Sequence, residues 1–173
     1  MSDENSGFNR FRPLNAETGA QLVEAFGGPD FPALLLEAAQ TISQVDEVFG
    51  YIVVNGCEPQ SLVAYSILPG SGERVSEYLR RFYHHDPAVH ELNKIPVGNS
   101  FAQRTRNNAI IPYDYRNFCF TKPNFKEKLS FGWRSNTYLL VLNFYRTNDS
   151  DDAALFKLAS LANLTLTIMV HRH

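Results

Sequence analysis

Four side chains that could ligate a metal ion are grouped near the middle of the sequence: His84, His85, Asp86 and His90. Imidazole and carboxylate groups are common ligands of zinc and other transition metals. However, Pro87 interrupts a helix at this point, so the group lacks the spacing that would bring two ligands onto one helix face. The sequence therefore predicts no metal site, and we interpret the group as the polar end of a helix, where the helix dipole favours histidine.

The sequence also has two cysteines, Cys57 and Cys119, and a thiol becomes a nucleophile or a redox sensor when its surroundings lower its pKa. Cys119 stands between two phenylalanines with no histidine beside it, and free cysteines are among the most buried residue types. Cys57 falls in a predicted loop and has no base beside it to activate it. We therefore expect Cys119 not to be a redox sensor and Cys57 not to be a catalytic nucleophile.

Sequence motifs of the common enzyme classes are missing. Gly70-Ser71-Gly72 lacks the lysine and the remaining pattern of a phosphate-binding loop. Neither a Gly-x-Ser-x-Gly elbow nor a His-Glu-x-x-His motif occurs in the chain. We therefore expect a protein that is not an enzyme and that holds no cofactor.

Aromatic residues are unusually frequent, at 13% of the chain. The candidate ligand-binding residues fall in the irregular middle of the sequence and in the adjacent strands: Phe101, Tyr113, Tyr115, Phe118, Trp133 and Tyr138. Rings with a few hydroxyl groups suit a small apolar or aromatic ligand that has one or two polar groups. Arg104 or Arg134 could meet an anionic end of such a ligand. The alternative is that these rings simply fill the core.

Overall composition restricts the class of protein further. The chain has 173 residues and a mass of 19.6 kDa, which suits a single domain. Sixteen Lys and Arg residues against eighteen Asp and Glu residues give a net charge of −2, which argues against a domain that itself grips nucleic acid. The start is polar and no apolar run is long enough to span a membrane, so we expect a cytoplasmic protein with no membrane contact.

The spacing of the apolar residues predicts the elements that position these side chains. We expect a mobile leader over residues 1–15, a short helix over 16–26, and a second helix that begins after Asp30. Apolar residues on both alternating faces predict a hairpin of two strands, at 47–54 and 61–68. The elements predicted after this hairpin are helices near 75–83 and 88–93, a strand at 100–104, a helical segment at 113–120, strands at 126–135 and 137–146, and a long C-terminal helix.

This order of elements predicts the fold class. Most of the strands are joined as hairpins, so the sheet is antiparallel with about five strands. The central strands are apolar on both faces, which requires helices on both sides of the sheet. We therefore predict an α/β protein of the GAF/PAS kind: a three-layer α-β-α sandwich that forms a single domain over residues 16–173.

Three segments resemble the N-terminal sensor domains of LuxR-type transcription regulators. They are the run that ends in His85-Asp86-Pro87, the stretch from Tyr113 through Lys126-Glu127-Lys128, and the strand from Tyr138 to Arg146 with its following acidic loop and helix. The resemblance implies a ligand between one sheet face and the irregular segment. It also implies a homodimer, and DNA binding only through a helix-turn-helix module that is absent here. It does not extend to the Trp-x-x-x-Tyr pair of lactone receptors, because Trp133 has no tyrosine at that spacing.

Two functional hypotheses remain open from the sequence. In the first, the domain senses a small molecule and signals to the attached module through dimerisation and its C-terminal helix. In the second, a domain of the same fold binds no ligand and serves as a protein–protein interaction module, with its aromatic region collapsed. In the first hypothesis, the C-terminal helix, over 155–169, or the first two helices would form the dimer interface.

Overall fold

A computed structural model describes residues 14–171 of the chain. The helices are α1 (Ala16–Ala25), α2 (Phe31–Ile42), α3 (Ser71–Glu77), α4 (Pro87–Leu92), α5 (Tyr113–Arg116) and α6 (Ala154–His171). The strands are β1 (Glu47–Val54), β2 (Gln60–Ser66), β3 (Ser100–Arg106), β4 (Glu127–Arg134) and β5 (Tyr138–Arg146). The leader predicted for residues 1–15 lies outside the described residues except for its last two, of which Asn15 caps α1 by accepting a hydrogen bond from the amide of Thr18 at 2.8 Å.

The five strands form one sheet in the order β2-β1-β5-β4-β3, and every neighbouring pair is antiparallel. One face is covered by α1, α2 and α6, which we call the α6 layer. The other face is covered by α3, α4, α5 and the turns that join them, which we call the α3–α5 layer. The predicted three-layer sandwich with a five-stranded antiparallel sheet is therefore confirmed.

Alternation along β1 explains why both faces of the sheet are buried. Val48 and Ile52 pack in the α6 layer, whereas Phe49 and Tyr51 pack in the α3–α5 layer. Because successive side chains of a strand point to opposite faces, an apolar residue at nearly every position requires two helical layers.

Two glycines let the helices approach the sheet closely. A Cβ atom on Gly50 would lie 2.8 Å from Val63 Cγ1 and 3.1 Å from Met169 Cε of α6. A Cβ atom on Gly132, on the opposite face, would lie 2.9 Å from Leu92 Cδ2 of α4. Each helix therefore packs where the sheet presents no side chain.

The long C-terminal helix α6 is a core element. By length and composition alone it would be long and apolar enough to cross a membrane. Its residues Leu158, Leu161 and Met169 are fully buried against the sheet, as in the core helix of a globular domain. These residues are consequently not available to a dimer interface, and any such contact on α6 would use its other side.

The irregular parts of the sequence contain two π-helical turns. Tyr78–Phe82 continues α3, and Asn117–Thr121 continues α5. Each turn accommodates one more residue than an α-helical turn, which changes the direction of the side chains that follow. The sequence predicted helical segments at both places but not this change of pitch.

Candidate functional site

A cluster of buried polar side chains lies between the sheet and the α3–α5 layer, and Asp86 is at its centre. Asp86 precedes Pro87 at the start of α4, where a short acidic side chain caps the helix. Its Oδ1 atom accepts a hydrogen bond from the amide of Ala88 at 2.9 Å. Its Oδ2 atom accepts hydrogen bonds from the Tyr78 hydroxyl and from Lys128 Nζ. All of these bonds come from within the protein, and the side chain of Asp86 is completely buried.

Lys128 supplies the positive charge of this cluster. It lies in β4, its side chain is completely buried, and its ammonium group pairs with Asp86 and donates to the Tyr115 hydroxyl at 3.3 Å. The same nitrogen lies 5.8 Å from the centroid of the Tyr78 ring, which adds a cation–π contact. A charge so deeply buried is tolerated only when it is paired and hydrogen-bonded, and both conditions are met here.

Three tyrosines surround the ion pair as neutral hydrogen-bonding groups. The hydroxyl of Tyr51 lies 2.9 Å from that of Tyr78. Because the single proton of the Tyr78 hydroxyl is donated to Asp86, Tyr51 must donate to Tyr78. Burial, together with the negative charge of Asp86, raises the pKa of Tyr51, Tyr78 and Tyr115 well above the usual value. These phenols therefore act as hydrogen-bond donors and acceptors rather than as acids.

A second ion pair closes the side of the cluster nearest to α3. Arg74 pairs with Glu47 of β1 and donates from Nη1 to the carbonyl oxygen of Pro69 at 2.6 Å. Burial raises the pKa of Glu47, and the neighbouring Arg74 partly offsets this effect. Cys119 lies beside the pair, and burial raises the pKa of its thiol to about 12. That thiol stays protonated at neutral pH, so this residue is not a nucleophile in the folded protein.

Almost no free space remains between the second ion pair and the tyrosines. The cavity between the second ion pair and the tyrosines has a volume of about 10 Å³. A small-molecule site usually needs about 300–1,000 Å³, and about 10–15 Å³ is the least that holds one water. The centre of the α3–α5 layer, around the two ion pairs, is therefore filled by the protein's own side chains.

Solved structures with this arrangement of layers identify the fold. The ligand-binding domain of VqsR from Pseudomonas aeruginosa matches 91% of this chain and 95% of its own with a TM-score of 0.67 at 17% identity. CepR2 from Burkholderia cenocepacia, a LuxR-family transcription factor that depends on N-acylhomoserine lactone, matches 90% of this chain and 93% of its own, with a TM-score of 0.69 at 15% identity. This chain has the fold of a LuxR-type ligand-binding domain.

The fold is also similar to that of GAF domains. The bilin-bound GAF domain of a cyanobacterial phytochrome matches 91% of this chain and 95% of its own with a TM-score of 0.54 at 10% identity. The predicted GAF-like fold and the resemblance to LuxR-type sensor domains are thus both confirmed. No protein-family model matches the sequence, and no curated protein matches it either.

The aromatic residues predicted to bind a ligand do not come together in the LuxR-type fold. Tyr115 belongs to the polar cluster, and Phe101 and Phe118 pack at the border of the same layer. Trp133 and Tyr138 pack on the opposite face of the sheet, in the α6 layer. Tyr113 is 66% exposed. The strand residues Phe101 and Trp133 lie on opposite faces of the sheet because side chains alternate along a strand. Ligand binding by the six residues stays a prediction.

The two arginines proposed to meet an anionic ligand are engaged within the protein. Arg104 forms an ion pair with Glu127 at 3.3 Å and with Asp152 at 3.2 Å. Arg134 donates to the carbonyl oxygens of Asn93 and Ile95, at 2.6 Å in each case. Arg104 thus joins β3 to the loop before α6, and Arg134 joins β4 to the segment after α4.

The histidines near Asp86 do not form a metal site together with it. Nε2 of His90 donates to the carbonyl oxygen of His84 at 2.7 Å, while Asp86 points into the core. Among residues 14–171, no group of three His, Cys, Asp or Glu side chains is placed to hold a metal ion.

Sequence reasoning missed the residues at the centre of the cluster. Asp86 was interpreted as part of the polar end of a helix, and Lys128 only as part of the strand predicted over 126–135. One signal was present: Lys128, Ser130 and Gly132 alternate with the apolar residues of β4. Such alternation usually indicates a solvent-facing side, whereas here the α3–α5 layer covers it.

Proposed function

We propose that this chain is the regulatory domain of a LuxR-type transcription regulator, and that it acts without enclosing a small molecule between the sheet and the α3–α5 layer. The observation that supports this proposal is the buried Lys128–Asp86 pair with its three tyrosines. These side chains occupy the centre of the layer in which the family resemblance implies a ligand. The similarity to VqsR and CepR2 supports the regulatory role.

The proposed output is the C-terminal helix α6. It contacts β3, β4 and β5, so a change in the packing of the sheet alters the position of this helix. In our proposal a helix-turn-helix module follows α6 in the regulator, and a partner that favours one position of α6 shifts the population of the attached module. Dimerisation as a homodimer belongs to the same proposal, because helix-turn-helix modules commonly read paired half-sites.

A second candidate function is small-molecule sensing within the α3–α5 layer, and one observation favours it. A cleft of about 650 Å³ lies between the β1–β2 turn and α4, with Val53, Val89 and Leu139 among its lining residues. These three residues also belong to, or border, the apolar cluster of the α3–α5 layer. A ligand entering from this cleft would have to displace part of the existing core.

Native mass spectrometry of the protein purified from its own host tests the proposal. We expect a native mass of one or two polypeptides, with no small molecule held in the α3–α5 layer and released on denaturation. Protein expressed in an unrelated host is the control for ligands acquired during purification. A reproducible small molecule, together with new protection of the tyrosine cluster from hydrogen exchange, would favour the second candidate instead.

A further inference from the structure

A separate concave surface lies on the opposite side of the sheet, between the end of the sheet and the last turns of α6. We call it the α6 groove. Its volume is about 290 Å³, and its lining residues are Ser100, Trp133, Asn163, Leu166, Thr167, Val170 and His171. The groove shares no residue with the buried polar cluster.

The topology of the sheet explains why this groove is open. β3 is an edge strand with β4 as its neighbour, and Ser100 at its start pairs with Trp133 of β4. Helix α6 packs over the sheet through its buried residues, but Ser100 is exposed and Trp133 is only partly buried at this corner. The partly buried side chain of Trp133 thus lines the space between the strand edge and the helix.

The chemistry of the lining selects the kind of molecule that fits. Trp133, Leu166 and Val170 provide an apolar floor. The polar side chains that surround this floor are those of Ser100, Asn163, Thr167 and His171. The hydroxyl of Thr167 donates to the carbonyl oxygen of Asn163 at 2.7 Å, which leaves its oxygen free to accept. Within residues 14–171, the side chains of Ser100 and Asn163 have no hydrogen-bond partner.

We propose that the α6 groove binds a small uncharged molecule with an aromatic or apolar body and one hydroxyl or amide group. The body would stack on Trp133, and its polar group would bind Ser100 or Asn163. A charged molecule fits poorly, because the described residues that line the groove include no carboxylate, lysine or arginine to pair with it.

The size of the groove favours a small molecule over a protein partner. Its volume lies near the lower end of the range of small-molecule sites. A specific protein interface buries more than about 1,000 Å² in total, whereas the apolar floor consists of three partly or fully buried side chains. A second copy of this chain is therefore an outcome to be tested and not our proposal.

The position of the groove connects its occupancy to the proposed output. One wall belongs to the sheet and the other to the last turns of α6, so a ligand between them stabilises one position of the helix relative to the sheet. This connection rests on the proposed regulatory function. Binding itself does not, and can be measured on the 173-residue chain.

Trp133 provides a direct readout, because it is the one tryptophan of the sequence and gives one indole N–H signal in a nitrogen–proton correlation spectrum. We titrate the full chain with benzyl alcohol, benzoate and benzylammonium, which are similar in size and differ in charge. Benzyl alcohol should shift the indole signal saturably, with a dissociation constant on the order of 1 mM for so small a ligand. The two ions should bind at least about tenfold more weakly, since neither finds a partner for its charge.

A pair of matched variants tests the location of the site. Thr167 and Ser160 are both small, exposed hydroxyl residues of α6, but only Thr167 lines the groove. Thr167→Phe should abolish the shift, and Ser160→Phe should leave the dissociation constant unchanged. If Thr167→Phe does not fold, Asn163→Phe at the neighbouring wall position serves the same purpose.

Three outcomes would overturn the proposal. In the first, the Trp133 signal shows no saturable shift with benzyl alcohol. In the second, Thr167→Phe and Ser160→Phe bind benzyl alcohol with the same affinity. In the third, the Trp133 signal changes when the protein is diluted but not when benzyl alcohol is added. The last outcome would mean that a second copy covers the groove. A small molecule retained from the host by Thr167→Phe would contradict the proposed function while leaving the groove to be judged by the titration.

Discussion

The buried Lys128–Asp86 pair is the residue-level feature that distinguishes this interior from a ligand pocket. Two charges in a low-dielectric environment lose their hydration, and their mutual attraction compensates only while both partners are present. Asp86 also caps α4, so the same carboxylate fixes a helix and neutralises a lysine. The pair therefore couples the α3–α5 layer to β4.

Removal of the lysine should be strongly destabilising. Lys128→Met leaves the carboxylate of Asp86 buried without its charge partner, and we expect a loss of about 3–5 kcal/mol in the free energy of unfolding. Urea denaturation followed by circular dichroism measures this loss.

The matched control for this variant is Lys157→Met. Lys157 pairs with Asp151 at 3.1 Å, but both side chains are partly exposed. This change should cost no more than about 1 kcal/mol. Equal losses in the two variants would mean that the Lys128–Asp86 pair is not buried in the folded protein.

The two thiols should differ in reactivity because their surroundings differ. Cys57 is exposed, whereas Cys119 is buried and its pKa is raised to about 12. A thiol that is almost entirely protonated at pH 8 reacts slowly. We expect a chromogenic disulfide reagent to modify one thiol quickly in the native protein and both in urea, with Cys57→Ser as the control that removes the fast phase. A fast phase that survives in Cys57→Ser would contradict the buried position of Cys119.

At the level of elements, α6 combines a structural role with the proposed output. Its inner face completes the core of the α6 layer through Leu158 and Leu161. Its outer face presents Ser160 and Asn163, and its last turns form one wall of the α6 groove. The helix can therefore respond to events at the sheet or in the groove only by moving as a packed unit.

Substitutions on the two faces of α6 should differ greatly in their effect on the free energy of unfolding. Leu158→Asp places a charge in the core, and we expect a loss of more than about 4 kcal/mol, enough to unfold a domain of ordinary stability. Ser160→Asp on the exposed face should change stability by about 0.5 kcal/mol or less. Circular dichroism with light scattering measures both effects. A folded monomer of Leu158→Asp from a dimeric parent would instead place this residue at a subunit interface.

At the level of the whole molecule, the two helical layers differ in where they leave free space beside the sheet. At the centre of the α3–α5 layer, the cavity between the ion pairs and the tyrosines has a volume of about 10 Å³. The α6 layer holds the final helix and leaves a groove of about 290 Å³ at its edge. The LuxR-type fold thus has a closely packed centre in the α3–α5 layer, and the α6 groove lies on the other face of the sheet. Cytoplasmic location, absence of a catalytic activity and homodimerisation remain predictions.

The sequence by itself determined the layers of the fold. The alternation of β1 and β5 required cover on both faces, and the helical spacing in α2 and α6 supplied elements to provide it. These features depend on periods of two and about 3.6 residues, which are visible along the chain. The resemblance to LuxR-type sensor domains rested on an ordered set of such segments.

Only the tertiary structure decided which side chains share a site. Lys128 and Asp86 are 42 positions apart in the sequence, and they meet because β4 pairs between β3 and β5 beneath the start of α4. Trp133 and Tyr115, which were predicted together, are separated by the sheet, because their faces depend on strand register and on helical pitch. A buried ion pair needs both partners within a few ångströms, and neither composition nor periodicity specifies that distance.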